Sequence, residues 1–208
     1  FGWLNGSDLR KGKRTMAKYN FDVGVDRRKL PAPKFKSIPE DVIPMSVADT
    51  EFDAMPEIVH ALRERAAIAN FGYEVMSDDD YDAIIAWVKS RHSEDIKREH
   101  LMATPGVLYA MRCSLYAISE PGDKVVVQLP LHTPSIGTAG MRGRIAVKVN
   151  LLRLADGTYA LNYEDLERHF REGARVLMFC SPSNPTGRVW TFKELAELAE
   201  LVCRYDVR

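Results

Sequence analysis

The chain has 208 residues, 46% of them hydrophobic, with 29 basic and 29 acidic side chains and a formal net charge of zero. That is enough apolar material for one domain, or one and a part, with a sizeable core, and it excludes a disordered chain. The even charge balance leaves no footprint for a nucleic-acid or membrane-surface partner, and no apolar run reaches the length of a membrane span.

Residues 1–15 are basic and glycine-containing, show no periodicity and begin without methionine, so they read as a leader or expression remnant, with Met16 a native start. Residues 16–55, punctuated by Pro31, Pro33 and Pro39, read as an irregular N-terminal arm and part of a small domain. Residues 56–208 carry the regular pattern of the main domain. Pro56 opens a helix through Ala67 with Ile58, Ala61 and Leu62 behind it. Ser77 to Asp80 caps a second helix through Ser90, whose apolar face is Tyr81, Ile84, Ile85 and Val88.

Leu101 to Leu108 is a brief strand-like run that breaks at Pro105-Gly106 and opens a helix to Ser119. Val107, Ala110, Met111, Leu115 and Ile118 form the buried stripe of that helix. A glycine at a helix N-terminus leaves backbone N–H groups unpaired and admits an anion, so the turn is a candidate phosphate cradle, although most such turns bind nothing. Lys124 to Leu129 is a strand leading into the loop Pro130 to Pro134, which carries His132. A helix over residues 135–142 and a strand from Ile145 to Asn150 follow. Gly137, Gly140 and Gly143 read as close-packing residues. After a turn at Ala155 to Gly157, Asn162 caps a helix over residues 163–170.

Arg175 to Cys180 is a short apolar run expected of a strand covered on both faces. Thr191 and Glu194 form a capping box ahead of a stripe of Leu195, Leu198, Ala199 and Val202. Residues 181–187, S-P-S-N-P-T-G, are therefore a strand-to-helix turn at the carboxyl end of a buried strand, where open α/β sheets bind ligands. Asn184 can donate to and accept from a hydroxyl or phenolate there; the alternative is a loop that merely ends a strand. Strand and helix alternate, so the expected fold is α/β, a mostly parallel sheet with helices on both faces. Residues 205–208 read as a helix exit toward a next strand, which leaves a crossover unclosed and points to a truncated polypeptide. Cys113, Cys180 and Cys203 read as buried free thiols in a reducing, cytoplasmic compartment. The five histidines show no metal-ligand spacing.

Three loops, Thr104-Pro-Gly-Val107, Pro130 to Pro134 and Ser181 to Gly187, together with Val47-Ala-Asp49, Phe71-Gly-Tyr73 and Glu120-Pro-Gly-Asp-Lys124, resemble the fold-type I pyridoxal-phosphate enzymes. Within these the chain is similar to the N-terminal part of the class I/II aminotransferase-like cystathionine β-lyases or C–S lyases of the MalY/PatB type. The resemblance implies an aspartate-aminotransferase-like large domain and pyridoxal 5'-phosphate as cofactor. It implies that Gly106, Val107 and Leu108 hold the cofactor phosphate and that Asn184 bonds the phenolic oxygen. By the same resemblance, Tyr73 reaches the phosphate of a neighbouring subunit in a homodimer with shared sites, and Ala48 and Asp49 lie beside an amino-acid substrate's carboxylate. His132 stands where the family usually has a ring-stacking tyrosine.

The implied reaction is β-elimination from cystathionine or a related cysteine thioether, giving thiol, pyruvate and ammonia. An aminotransferase, or a non-catalytic regulatory protein on the same scaffold, are the alternatives. The Schiff-base lysine of the family matches none of the eleven lysines here, so no residue of this chain is assigned a catalytic role and the chain alone is expected to be inactive.

Overall fold

A computed structural model of the chain describes Phe21 and residues 26–208. The expected leader and the start at Met16 lie outside the described residues. The chain divides into two compact units, Phe1–Val75 and Met76–Arg208.

In the first unit proline sets the backbone. Two 3-10 turns, Arg27–Lys29 and Pro33–Phe35, precede α1 (Pro56–Ala67), which starts with Pro56 in its first turn. The Arg28 guanidinium packs over the Phe35 ring at 5.3 Å and donates to the Val42 carbonyl at 2.8 Å, tying the arm to itself. Helix α1 buries none of its residues, and Ile58 and Leu62 are exposed.

The second unit contains α2 (Asp78–His92), α3 (Val107–Ile118), β1 (Lys124–Leu129), α4 (Thr133–Ala139), β2 (Ile145–Asn150), β3 (Leu152–Arg153), β4 (Tyr159–Ala160), α5 (Tyr163–Arg171), β5 (Val176–Met178) and α6 (Phe192–Arg204). β1 is central in a parallel sheet ordered β2-β1-β5, with Lys124 opposite Ile145 and Val125 opposite Val176. Its K-V-V-V-Q-L sequence suits that place, because a strand covered on both faces needs apolar, β-branched side chains at successive positions. Val126 faces a core built with Val149, Leu166, Phe170, Trp190 and Leu198. Val125 and Val127 face the opposite one, with Leu115, Ala139 and Val176.

Caps fix where the helices begin. The Ser77 hydroxyl accepts from the Asp80 N–H, Asn162 Oδ1 from the Asp165 N–H, and Thr191 Oγ1 from the Glu194 N–H at 3.3 Å. Glu194 closes the box by accepting from the Thr191 N–H at 2.7 Å. Burial opposes its charge, but the Thr191 donors and the Arg188 guanidinium hold its carboxyl below the usual range. Thr191→Ala should cost about 1 kcal/mol in urea unfolding, and Thr191→Ser should restore most of it.

Several expectations are corrected. No strand forms over residues 101–108; a 3-10 turn, Arg98–His100, leads into unpaired backbone, because no strand among the described residues lies there to pair with it. The stripe on α3 has helical spacing, yet only Leu115 is buried and Val107 is 75% exposed, since much of it faces an open groove. On α2 only Tyr81 is buried. The helix after His132 stops at Ala139, and Arg142 adopts a left-handed φ of 51° before β2. Among the three glycines of that segment, Gly143, at φ +81°, lies against Pro121, whereas Gly137 faces open space. Cys113 and Cys203 are exposed and Cys180 is half-buried, because the first two sit on the outer faces of α3 and α6. Two-residue strands β3 and β4 form an antiparallel hairpin about the expected turn at Asp156-Gly157.

Candidate cofactor site

The site is built at the carboxyl edge of the sheet. The loop after β1 carries His132 and the loop after β5 carries Asn184, and β1 and β5 are parallel neighbours, so both loops leave the same edge. A hydrogen bond joins them: the His132 N–H donates to the Asn184 carbonyl at 3.1 Å. α3 is linked to the start of β1 only by the turn at residues 119–123 and packs on it through Leu115. Twelve helical residues rise about 18 Å and six strand residues about 20 Å, so the N-terminus of α3 comes level with the same edge.

That N-terminus is open. Gly106, the N-cap of α3, has φ +142° and supplies no side-chain cap, in contrast to the residues before α2, α5 and α6. Its carbonyl accepts from Tyr109 and Ala110, while the N–H groups of Val107 and Leu108 have no hydrogen-bond partner among the described residues. A Cβ built on Gly106 would meet nothing within 4 Å, so the space over those two donors is clear. The field of the helix terminus favours an anion there.

The Asn184 side chain is exposed and makes no hydrogen bond among the described residues, although its backbone is held. Ser183 N–H donates to the Arg188 carbonyl at 2.9 Å and Gly187 N–H to the Ser183 carbonyl at 2.7 Å. The bonds from Leu129 to Pro130, Ser181 to Pro182 and Asn184 to Pro185 are all cis. Trp190 Nε1 donates to the Cys180 carbonyl at 3.1 Å, anchoring the loop's far end to the end of β5.

His132 is exposed, and its Nδ1 lies 3.2 Å from the buried hydroxyl of Ser135. Ser135 is a residue sequence reasoning missed; its spacing of three from His132 across the first turn of a proline-started helix is the signal that would have found it. Gln128, one residue before the strand's end, is also buried and its Nε2 has no hydrogen-bond partner among the described residues.

Ala48, Asp49 and Tyr73 belong to the first unit. Asp49 does not present a free carboxylate: Arg27 Nη2 bonds it at 2.5 Å and Lys34 Nζ lies at 3.4 Å. The Arg27 bond holds its carboxyl below the usual range. Lys34 is buried, also bonds Glu51, and that bond raises its ammonium pKa. These long-range partners have no local sequence signal. Tyr73 is fully exposed.

The description of the aminotransferase class I and II family matches residues 40–208. The chain belongs to that family. It is 36% identical over 194 residues to cystathionine beta-lyase PatB of Bacillus subtilis, covering 90% of this chain and 50% of that protein. Among solved structures, cystalysin from Treponema denticola, which contains a pyridoxal 5'-phosphate cofactor, superposes with a TM-score of 0.82 at 29% identity over 91% of this chain and 50% of its own. The PLP-bound C–S lyase from Staphylococcus hominis gives 0.80 at 29%, over 91% and 49%. The family assignment and the aminotransferase-like fold expected from sequence are thereby shown. The chain spans about half the length of the relatives it matches.

Proposed function

We propose that this chain furnishes the cofactor-holding part of a pyridoxal-phosphate-dependent C–S β-lyase. The observation that carries the reading is the convergence of an uncapped helix N-terminus, an imidazole and an unbonded carboxamide at one sheet edge, in a chain 36% identical to a cystathionine β-lyase. The residues fit the group. The Val107 and Leu108 N–H groups, with Gly106 leaving their approach open, would receive the phosphate. Asn184 would donate to the phenolic oxygen, and His132, with its Nδ1 3.2 Å from the Ser135 hydroxyl, would offer its imidazole to the ring.

When bound, the pyridine ring supplies an electron sink for the pair left as the substrate loses its Cα proton. A cysteine thioether and water then yield thiol, pyruvate and ammonia. For the first unit we propose, from the resemblance, that Ala48 and Asp49 lie beside the substrate carboxylate, with Asp49 fixed by Arg27 and Lys34. Tyr73 would serve a neighbouring chain in a dimer. None of the matched motifs supplies the bonding lysine, so this chain holds the cofactor without a covalent link.

The test uses two probes that lack the aldehyde, pyridoxine 5'-phosphate and pyridoxine. Calorimetry should show the phosphorylated form binding at least tenfold more tightly. Equal affinities would refute the cradle, and a specific borohydride-fixed adduct on one lysine after incubation with pyridoxal 5'-phosphate would refute noncovalent holding. In a complete enzyme, pyruvate release from cystathionine without an oxo-acid acceptor separates elimination from transamination.

A further inference from the structure

Ser135 has a part in the site that the cofactor reading leaves open. It is only 6% exposed, and a buried hydroxyl carries a proton that needs an acceptor. Within a helix such a proton ordinarily goes to the carbonyl one turn earlier, as Thr138 Oγ1 donates to the Pro134 carbonyl at 3.1 Å. Ser135 does otherwise. Among the described residues, the hydrogen-bonding group that its Oγ meets is His132 Nδ1, at 3.2 Å.

That contact selects a tautomer. Were the proton on Nδ1, the imidazole would donate to Oγ and the serine O–H would be left buried without an acceptor, which is the costly arrangement. With Nδ1 bare, the hydroxyl donates to it and both groups are satisfied. A neutral imidazole has a single N–H, which then lies on Nε2. The backbone that carries the ring is held as well. The His132 N–H donates to the Asn184 carbonyl at 3.1 Å, and the Ser135 N–H to the His132 carbonyl at 2.9 Å. His132 is exposed, and Nδ1 is its one ring nitrogen with a hydrogen-bond partner among the described residues, so the Nε2–H is open to a ligand.

We propose that Ser135 is a positioning residue that fixes neutral His132 as the Nε2–H tautomer, and that His132 thereby binds the phosphorylated pyridine as a hydrogen-bond donor to one of its oxygens. The inference rests on the cofactor reading and gives it a polarity. This N–H and the Asn184 carboxamide stand on two loops joined by a hydrogen bond, so the sheet edge offers paired donors to an oxygen-rich ligand. A ligand presenting only donors there would leave them unpaired, and the site selects against it.

The experiment reads the imidazole nitrogen-15 shifts of the full chain, without ligand, at about pH 8.5, well above the ordinary histidine pKa of about 6.5. The His132 signals are assigned by their absence in His132→Phe. The parent should show a protonated Nε2 and a bare Nδ1. Ser135→Ala should bring in the Nδ1–H form, and Ser135→Thr, which returns the hydroxyl, should remove it again. By calorimetry, pyridoxine 5'-phosphate should bind about two- to tenfold more weakly to His132→Phe, which keeps a flat ring without the N–H, the range of one uncharged hydrogen bond. Ser135→Ala should fall between that variant and the parent, with an unchanged circular dichroism spectrum. An Nδ1–H signal in the parent, a Ser135→Ala spectrum identical to the parent's, or parent-like affinity in His132→Phe would each overturn the proposal. The parent spectrum decides the tautomer even if a variant loses its fold. Because the spectra involve no ligand, they can fail while the probe still binds at the helix cradle. A parent that binds neither pyridoxine 5'-phosphate nor pyridoxine instead sinks the cofactor reading and, with it, the donor role of His132.

Discussion

Phe170→Ala should remove about 3–5 kcal/mol of unfolding free energy, the largest stability effect expected of a conservative truncation in this chain. Phe170 has no exposed surface, and it lies in one contiguous cluster with Val126 of β1, Val149 of β2, Leu166 of α5 and Leu198 and Leu201 of α6. Its ring also meets that of Tyr205, centroids 6.4 Å apart. Residues of four elements, β1, β2, α5 and α6, make up the cluster in which an alanine would leave a void. Whole-domain stability is about 5–15 kcal/mol, so the variant would sit near the limit of folding at 37 °C. Urea unfolding followed by circular dichroism, with emission from buried Trp190 as a second probe, measures it. A loss below about 1 kcal/mol would show that this cluster is not the core of the second unit. Phe170→Leu, which keeps most of the volume, should recover more than half.

How much of this was legible beforehand depended on how local the signal was. β1 and β2 have the bounds their β-branched runs implied, and α6 begins at the Thr191 capping box, because each is specified within about six consecutive residues. Carboxyl-edge loops followed from the strand-helix order alone, and the His132–Asn184 bond confirms that two of them meet. The α3 stripe shows the boundary of such reasoning: periodicity states which side chains share a face, not whether anything covers it. Here Val107 and Met111 line an open groove. The β3–β4 hairpin was invisible because two-residue strands carry no period. The Arg27–Asp49–Lys34 cluster was invisible for another reason. It pairs residues 15 to 22 apart in irregular backbone, where neither helix nor strand geometry fixes which side chains meet.

Asn184→Ala should weaken binding of pyridoxine 5'-phosphate to the chain by about ten- to a hundredfold. Hydrogen bonds to a charged group contribute about 1.5–3 kcal/mol, and each 1.4 kcal/mol is about a factor of ten in affinity. The substitution is a clean one because the loop does not depend on the carboxamide. Its shape rests on main-chain bonds, from His132 N–H to the carbonyl of residue 184 and from Ser183 and Gly187 within the turn, all of which an alanine retains. The loop's distal anchor, Trp190 to the Cys180 carbonyl, is equally untouched. Unfolding free energy should therefore stay within about 0.5 kcal/mol of the parent, so a lost affinity would report the ligand contact and not a displaced loop. Asn184→Asp sharpens the sign. It keeps the shape, removes the NH₂ donor and sets a carboxylate against an electron-rich oxygen, so its loss should exceed that of alanine. If alanine and aspartate both bind like the parent while the phosphorylated probe is still preferred over pyridoxine, the helix cradle stands and Asn184 has no place at the ring.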